Sequence, residues 1–121
     1  MAWRDLTENI KVSVNTSEVT DTTQSMSVNT EYIANNANLV TFTLPANALQ
    51  GDVFRIIGKG AGGWKVEQNA GQTIYFGNQT TTTGTGGSLA STHQRDVVEI
   101  KCITENTGFQ VLNSQGNITI V

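Results

Sequence analysis

Apolar and polar residues alternate along most of this chain. Because successive side chains of a strand point to opposite faces, a period of two is typical of a strand with one face in a core. The pattern therefore predicts an all-β single domain, a β-sandwich or jelly-roll-like barrel, with short strands between clusters of Gly, Asn and Thr. Nine runs carry it, at residues 10–14, 26–32, 40–44, 54–56, 64–66, 74–76, 98–102, 109–111 and 118–120.

Three other segments are read differently. Residues 1–15 are expected to form an N-terminal arm or a first strand, and Trp3, Leu6 and Ile10 also have the spacing of a short helix. Residues 16–121 are then the β domain. The segment 45–52 predicts a single turn, with Gly51 at positive φ. The stretch NQTTTTGTGGS, residues 78–88, is expected to be too polar to pack and to form a long loop or a Thr-rich edge.

The amino-acid composition limits the classes of partner that this protein can bind. Charged residues make up 14% of the chain, against about 25% in an average soluble domain, and 18 threonines fill much of the polar surface instead. The net charge of −3 gives no basic footprint for nucleic acid. No run approaches the roughly 18 apolar residues of a membrane span. We therefore expect neither nucleic-acid binding nor membrane insertion.

The single cysteine, Cys102, rules out an intrachain disulfide. It shares the parity of Val98 and Ile100, so we expect a core thiol rather than a nucleophile. Residues 1–12 lack the basic region and apolar run of a secretion signal. We expect the protein to be made in a reducing cytoplasm.

The glycines of residues 58–63, GKGAGG, match the letters of a dinucleotide-binding loop. Such a loop must follow a strand and open a helix, whose N-terminus holds the phosphates. Here the alternating segment WKVEQ follows, which predicts a strand. We interpret residues 58–63 as a glycine-rich hairpin turn.

Catalytic and metal-binding sets are not recognisable in the sequence. Ser88, Ser91, His93 and Asp96 lie close together, but no nucleophile elbow surrounds either serine, so we expect an ordinary polar loop. The ten carboxylates include no convincing acid/base pair and no calcium loop. We expect no enzymatic activity, no cofactor and no metal.

Two aromatic residues are candidates for stacking on a sugar ring, Trp64 and Tyr75. The alternative for Trp64 is a place in the core. Tyr75 lies on the opposite parity from Ile74 and Phe76 and is the better surface candidate.

Residues 51–121 contain four distinctive phrases: Gly-Trp after a glycine turn, a predicted hairpin at Asn-Ala-Gly-Gln-Thr-Ile, the loop Thr-Gly-Thr-Gly-Gly-Ser and the terminal Gly-Asn-Ile-Thr. With these phrases the segment resembles a β module of bacteriophage exterior virion proteins, of the decoration, head-fibre and tail-fibre type. The resemblance implies a compact barrel or sandwich, a homotrimer and no catalysis.

We therefore expect a capsid decoration or cement protein on the virion exterior, assembled in the host cytoplasm. Since the chain begins with Met1, we expect a stand-alone protein rather than a fibre tip. Trp3, Arg4, Asp5 and Leu6 are the candidate attachment residues, binding the major capsid protein or another virion protein. The alternative is a tail- or head-fibre module that recognises host surface glycans.

Overall fold

The structure is a computed structural model that describes residues 15–121. Within that range there are twelve strands and no helix, so the predicted all-β fold is confirmed. The predictions for residues 1–14 lie outside the described residues. The strands are β1 (Asn15–Val19), β2 (Thr23–Ser25), β3 (Thr30–Ala34), β4 (Val40–Thr43), β5 (Val53–Gly58), β6 (Trp64–Glu67), β7 (Thr73–Phe76), β8 (Gln79–Thr80), β9 (Ser88–Ala90), β10 (Val97–Thr104), β11 (Gly108–Gln115) and β12 (Thr119–Ile120).

The strands form two sheets packed face to face around one core. Sheet A has the order β1-β3-β5-β10-β11-β7-β8, and sheet B has the order β12-β9-β6-β4-β2. The alternation predicts most of this core correctly, although Val28 is exposed and precedes β3 instead of lying in it. The buried apolar residues are Val19, Met26, Tyr32, Ala34, Val40, Phe42, Leu44, Ala48, Phe54, Ile56, Trp64, Val66, Ile74, Leu89, Val98, Ile100, Cys102 and Phe109.

The connectivity is not that of a jelly roll, which is built from antiparallel strands. The first six strands alternate between the sheets, and each of β1 to β4 pairs in parallel with the strand two positions later in the chain. The chain therefore winds through three stacked arcs, each with one strand in sheet A and one in sheet B. Antiparallel pairs occur only among β5 to β12.

The second arc (residues 30–44) and the third arc (residues 54–68) stack with a constant register. Thr30 faces Phe54 in sheet A, and Val40 faces Trp64 in sheet B, an offset of 24 residues in each case. The offset does not change across the corner between the sheets, so the two corners stack on each other as well.

The corner of the third arc is the glycine-rich segment 58–63. It joins β5 of sheet A to β6 of sheet B, so the prediction of a hairpin turn is wrong. The N–H groups of Gly60 and Gly62 donate to the carbonyls of Ala34 and Asn36 at the corner of the second arc, at 2.9 and 3.0 Å. A Cβ on either glycine would overlap the main chain of that corner. These glycines serve close main-chain stacking instead of phosphate binding.

The phrase Asn-Ala-Gly-Gln-Thr-Ile is also not a hairpin, because β6 and β7 lie in different sheets. A hairpin does join β7 to β8 through Gly77 and Asn78, with Gly77 at positive φ. The turn predicted for residues 45–52 is present, and Gly51 has a φ of 102° as expected.

The two lateral sides of the sandwich differ. On the closed side, β8 of sheet A and β12 of sheet B are bridged, because the Val121 carbonyl accepts from Thr82 N–H at 3.0 Å. On the open side, sheet A ends at β1 and sheet B ends at β2, both from the first arc. Within residues 15–121 no strand pairs with the outer edge of either.

Gly62→Ala should lower the free energy of unfolding by about 2 kcal/mol or more, because the new methyl group meets backbone that cannot rotate away. Gly86→Ala is the matched control, since its nearest neighbour is a Thr82 methyl group 4.0 Å from the added Cβ. Urea denaturation of both variants is the measurement. Equal stabilities would contradict the close stacking of the corners.

Candidate functional site

The serines, histidine and aspartate of residues 88–96 do not assemble into a catalytic site. The Ser91 hydroxyl is committed to the Trp64 main chain, accepting from N–H at 2.9 Å and lying 3.2 Å from the carbonyl oxygen. The Asp96 carboxylate accepts from the Thr92 and His93 N–H groups, at 2.9 and 3.1 Å. The His93 ring contacts the Thr92 hydroxyl instead of Ser91 or Asp96. These residues form a hydrogen-bonded corner next to β9.

Trp64 and Tyr75 have opposite environments. Trp64 has no exposed surface, and its indole N–H donates to the Asp96 carbonyl at 2.8 Å. The candidate role of Trp64 in sugar stacking is therefore wrong, because no face of the ring reaches solvent. Tyr75 is 36% exposed on the outer face of sheet A, between Gln110 and Thr80 on the adjacent strands.

Cys102 is in the core, as its parity predicts. Burial raises the pKa of its thiol, which keeps it protonated at neutral pH. A protonated, inaccessible thiol is a packing group and a poor nucleophile.

A row of polar side chains crosses five strands on the outer face of sheet A. Arg55 sits between Glu31, at 2.8 Å, and Glu99. Thr16 donates to Glu31 at 3.1 Å, and Asn113 donates to Glu99 at 2.8 Å. The hydrogen bond from Arg55 is the main cause that lowers the pKa of Glu99. Arg55 is thus occupied by two carboxylates, which leaves it unsuited to bind an anionic ligand.

A buried polar network pins the Thr-rich loop, residues 81–87. The side-chain amide nitrogen of Gln68 lies within 2.7 to 3.0 Å of the carbonyls of Gln72, Thr82 and Gly84. The Thr81 hydroxyl donates to the Gln68 side-chain oxygen and accepts from Ile74 N–H at 2.9 Å. The expectation that residues 78–88 are too polar to pack is therefore wrong for Thr81, which is 3% exposed.

Gln72 extends this network to the neighbouring loops. Its amide nitrogen donates to the carbonyls of Pro45 and Asn106, at 2.8 and 3.0 Å, and its oxygen accepts from Asn69 N–H at 2.8 Å. Gln72 is 1% exposed, so these bonds form away from water and hold four loops at one end of the sandwich in fixed positions. That end also carries the exposed threonines Thr82, Thr83 and Thr85.

The open side is the other candidate surface. The exposed residues of β1 and β2 include one charge, Glu18, which pairs with Lys59 at 3.3 Å and accepts from Asn35 at 2.7 Å. The Asn35 bond is the first cause that lowers the pKa of Glu18. Neither strand contains proline or lysine, and neither shows a register shift against its neighbour. Proline, lysine and register shifts are features that sheet edges commonly use to prevent pairing; short length is another, and β2 has it with three residues.

Sequence reasoning missed both surfaces for the same reason. Alternation shows which residues face inward, but it does not show which strand lies at an edge. Glutamines in the core give no periodic signal, because a buried amide becomes acceptable only when its partners are in place.

In the part of the chain that the structure describes, no group of three or more His, Cys, Asp or Glu side chains is arranged to hold a metal ion. No helix among the described residues is long and apolar enough to cross a membrane.

Thr81→Val should destabilise the protein by about 1–3 kcal/mol, because it leaves the Gln68 oxygen and Ile74 N–H buried without a partner. Cleavage within residues 81–87 by a non-specific protease should also become faster. Thr85→Val is the control, since Thr85 is exposed in the same loop and makes no side-chain hydrogen bond with the described residues. If both variants behave alike in urea and protease assays, the network does not hold the loop.

Comparison with known proteins adds no relative: no family model matches this chain, and no curated protein matches its sequence.

Proposed function

We propose that this protein is a non-enzymatic structural protein of a bacteriophage virion, acting as a capsid decoration or cement protein. The observation that carries the proposal is the open side, where both sheets end in edge strands with one charged residue, Glu18, and no proline or lysine. Exposed edges of this kind can pair with strands of other chains, and assembly covers them. The resemblance of residues 51–121 to exterior virion modules supports the same class of protein and a homotrimer.

The remaining surface is consistent with a display role. The closed side has short strands bridged by main-chain hydrogen bonds, and the loops at one end are held by the buried side chains of Gln68 and Gln72. The Ser91 hydroxyl and the Asp96 carboxylate make structural hydrogen bonds to the main chain, which supports a non-enzymatic role for this segment. A surface with few free charges also responds little to salt, which suits a particle released into varying surroundings.

Attachment to the particle is assigned to residues 1–15, with Trp3, Arg4, Asp5 and Leu6 binding the major capsid protein or another virion protein. A buried aromatic residue and an arginine are typical anchors of an interface. The arm continues directly into β1, whose first residue is Asn15. It therefore joins the sandwich at the open side.

The test is the position and copy number of the protein in purified particles. Labelling with antibody should show many copies on the capsid, and deletion of residues 2–8 should abolish capsid binding while the circular dichroism spectrum stays that of the full chain. A protein absent from particles, or found only at the tail, contradicts the decoration role. Particle binding that survives the deletion contradicts the attachment arm.

A second candidate function, a fibre module that recognises host surface glycans, is favoured by one observation. Tyr75 presents an aromatic ring on the outer face, flanked by the hydrogen-bonding side chains of Gln110 and Thr80. An aromatic face with polar groups around it is a typical platform for a sugar ring.

If the glycan function is correct, saturable binding on a glycan array should be lost in Tyr75→Ala and kept in Leu112→Ala. Leu112 is the control because it is also an exposed apolar side chain of sheet A. An array without saturable binding, or equal binding by both variants, contradicts the glycan-recognition function.

A further inference from the structure

The free main-chain groups of the open side can be assigned residue by residue. Asn15 N–H donates to Asn29, and the Val19 carbonyl accepts from Asn35 N–H, so these two residues direct their main-chain groups toward β3. Main-chain groups alternate in direction along a strand, and those of Thr16 and Glu18 therefore point away from sheet A.

The same reasoning applies to β2. The Thr22 carbonyl accepts from Thr41 N–H, and Met26 N–H donates to Thr43, so even-numbered residues direct their main-chain groups toward β4. Thr23 and Ser25 consequently point away from sheet B. Among residues 15–121, no strand therefore pairs with the outward main-chain groups of these two short edges, although the Ser25 carbonyl accepts from the Gln24 side-chain amide at 2.8 Å.

The two edges run in opposite directions. Three residues connect Val19 to Thr23, so β2 begins where β1 ends. Thr30, which follows β2, pairs with Asn15, the first residue of β1, so β2 ends where β1 begins. The β1 edge of one copy of the chain can therefore form an antiparallel pair with the β2 edge of another copy.

Charge favours pairing of unlike edges over pairing of two β1 strands. Glu18 is the only charged residue of β1, and β2 has none. Two antiparallel β1 strands centred on Ser17 would bring Glu18 of both copies into diagonal proximity, where like charges repel. Against β2, the same carboxylate meets only Thr, Gln and Ser.

We propose that copies of this protein associate through their open sides, with β1 of one copy paired antiparallel to β2 of the next. Sheet A of each copy then continues into sheet B of its neighbour, and a ring closes with every β1 and β2 edge paired. The inference rests on the proposed function only for the number of copies, which the homotrimer sets at three. Main-chain hydrogen bonds supply the contact, as in other cases of strand addition.

Proline substitutions test the contact. Thr16→Pro and Ser25→Pro each remove an N–H that points away from the sandwich, and proline is tolerated on an edge strand at such positions. The expected result by light scattering is a mass of about 39 kDa for wild type, three chains of 13.0 kDa, and a threefold lower mass for either variant. Each variant should keep the circular dichroism spectrum of the wild type.

Mixing the two variants separates this contact from a symmetrical one. Thr16→Pro keeps a normal β2 and Ser25→Pro keeps a normal β1, so an equimolar mixture should form a one-to-one complex of twice the 13.0-kDa chain mass. Pairing of β1 with β1 predicts instead that Ser25→Pro still associates and that the mixture gains nothing.

Three controls keep the result interpretable. Thr16→Val and Ser25→Ala remove the same hydroxyls but retain the N–H groups, and should stay associated. Thr80→Pro places a proline on the exposed edge of the closed side and should also stay associated. If a proline variant loses its spectrum, Thr16→Lys replaces Thr16→Pro and Thr23→Lys replaces Ser25→Pro, because an edge lysine opposes pairing without removing any main-chain group.

The outcomes are distinct. A monomeric wild type, or association that survives both prolines, overturns the edge contact. A wild-type dimer that both prolines dissociate supports the contact and overturns the homotrimer. A trimer with the expected variant behaviour that is absent from virions supports the contact and overturns the decoration role.

Discussion

Close stacking of the second arc on the third is the constraint on which the rest of the fold depends. Main chain meets main chain at the corner, because Gly60 and Gly62 lack the Cβ that would separate the arcs. This contact keeps the register constant from sheet A into sheet B, which places Phe42, Phe54, Trp64 and Val66 in one core. The indole of Trp64 then anchors the Asp96 corner, so the later antiparallel strands are positioned by the early parallel ones.

The sequence predicts the fold class and most of the core, because alternation directly reflects which side chains avoid water. It does not predict the parallel pairs, since period two is the same for parallel and antiparallel strands. The glycines at 58–63 illustrate this limit. Their flexibility is visible in the sequence, but whether they turn a hairpin or admit a neighbouring corner depends on residues 35–39, a full arc away.

The two aromatic candidates for sugar stacking differ in their exposure to solvent. Tyr75 is exposed and Trp64 is buried, and parity alone separates them once β6 and β7 are known to face one core. The pinned loop was missed because buried Gln68 and Gln72 look like surface residues in a sequence. Their burial is tolerable only through several simultaneous hydrogen bonds, which are a property of the assembled fold.

The constant offset of 24 residues also limits how the length of this protein can change during evolution. A residue inserted between Thr43 and Val53, where the second arc passes to the third, would shift every later pair equally and leave the arcs stacked. A residue inserted in the corner at 35–39 would shift sheet B against sheet A and turn Phe42 out of the core. Related chains should therefore vary in length at exposed Leu49 and Gln50, while insertions and deletions in the two stacked corners occur together or not at all.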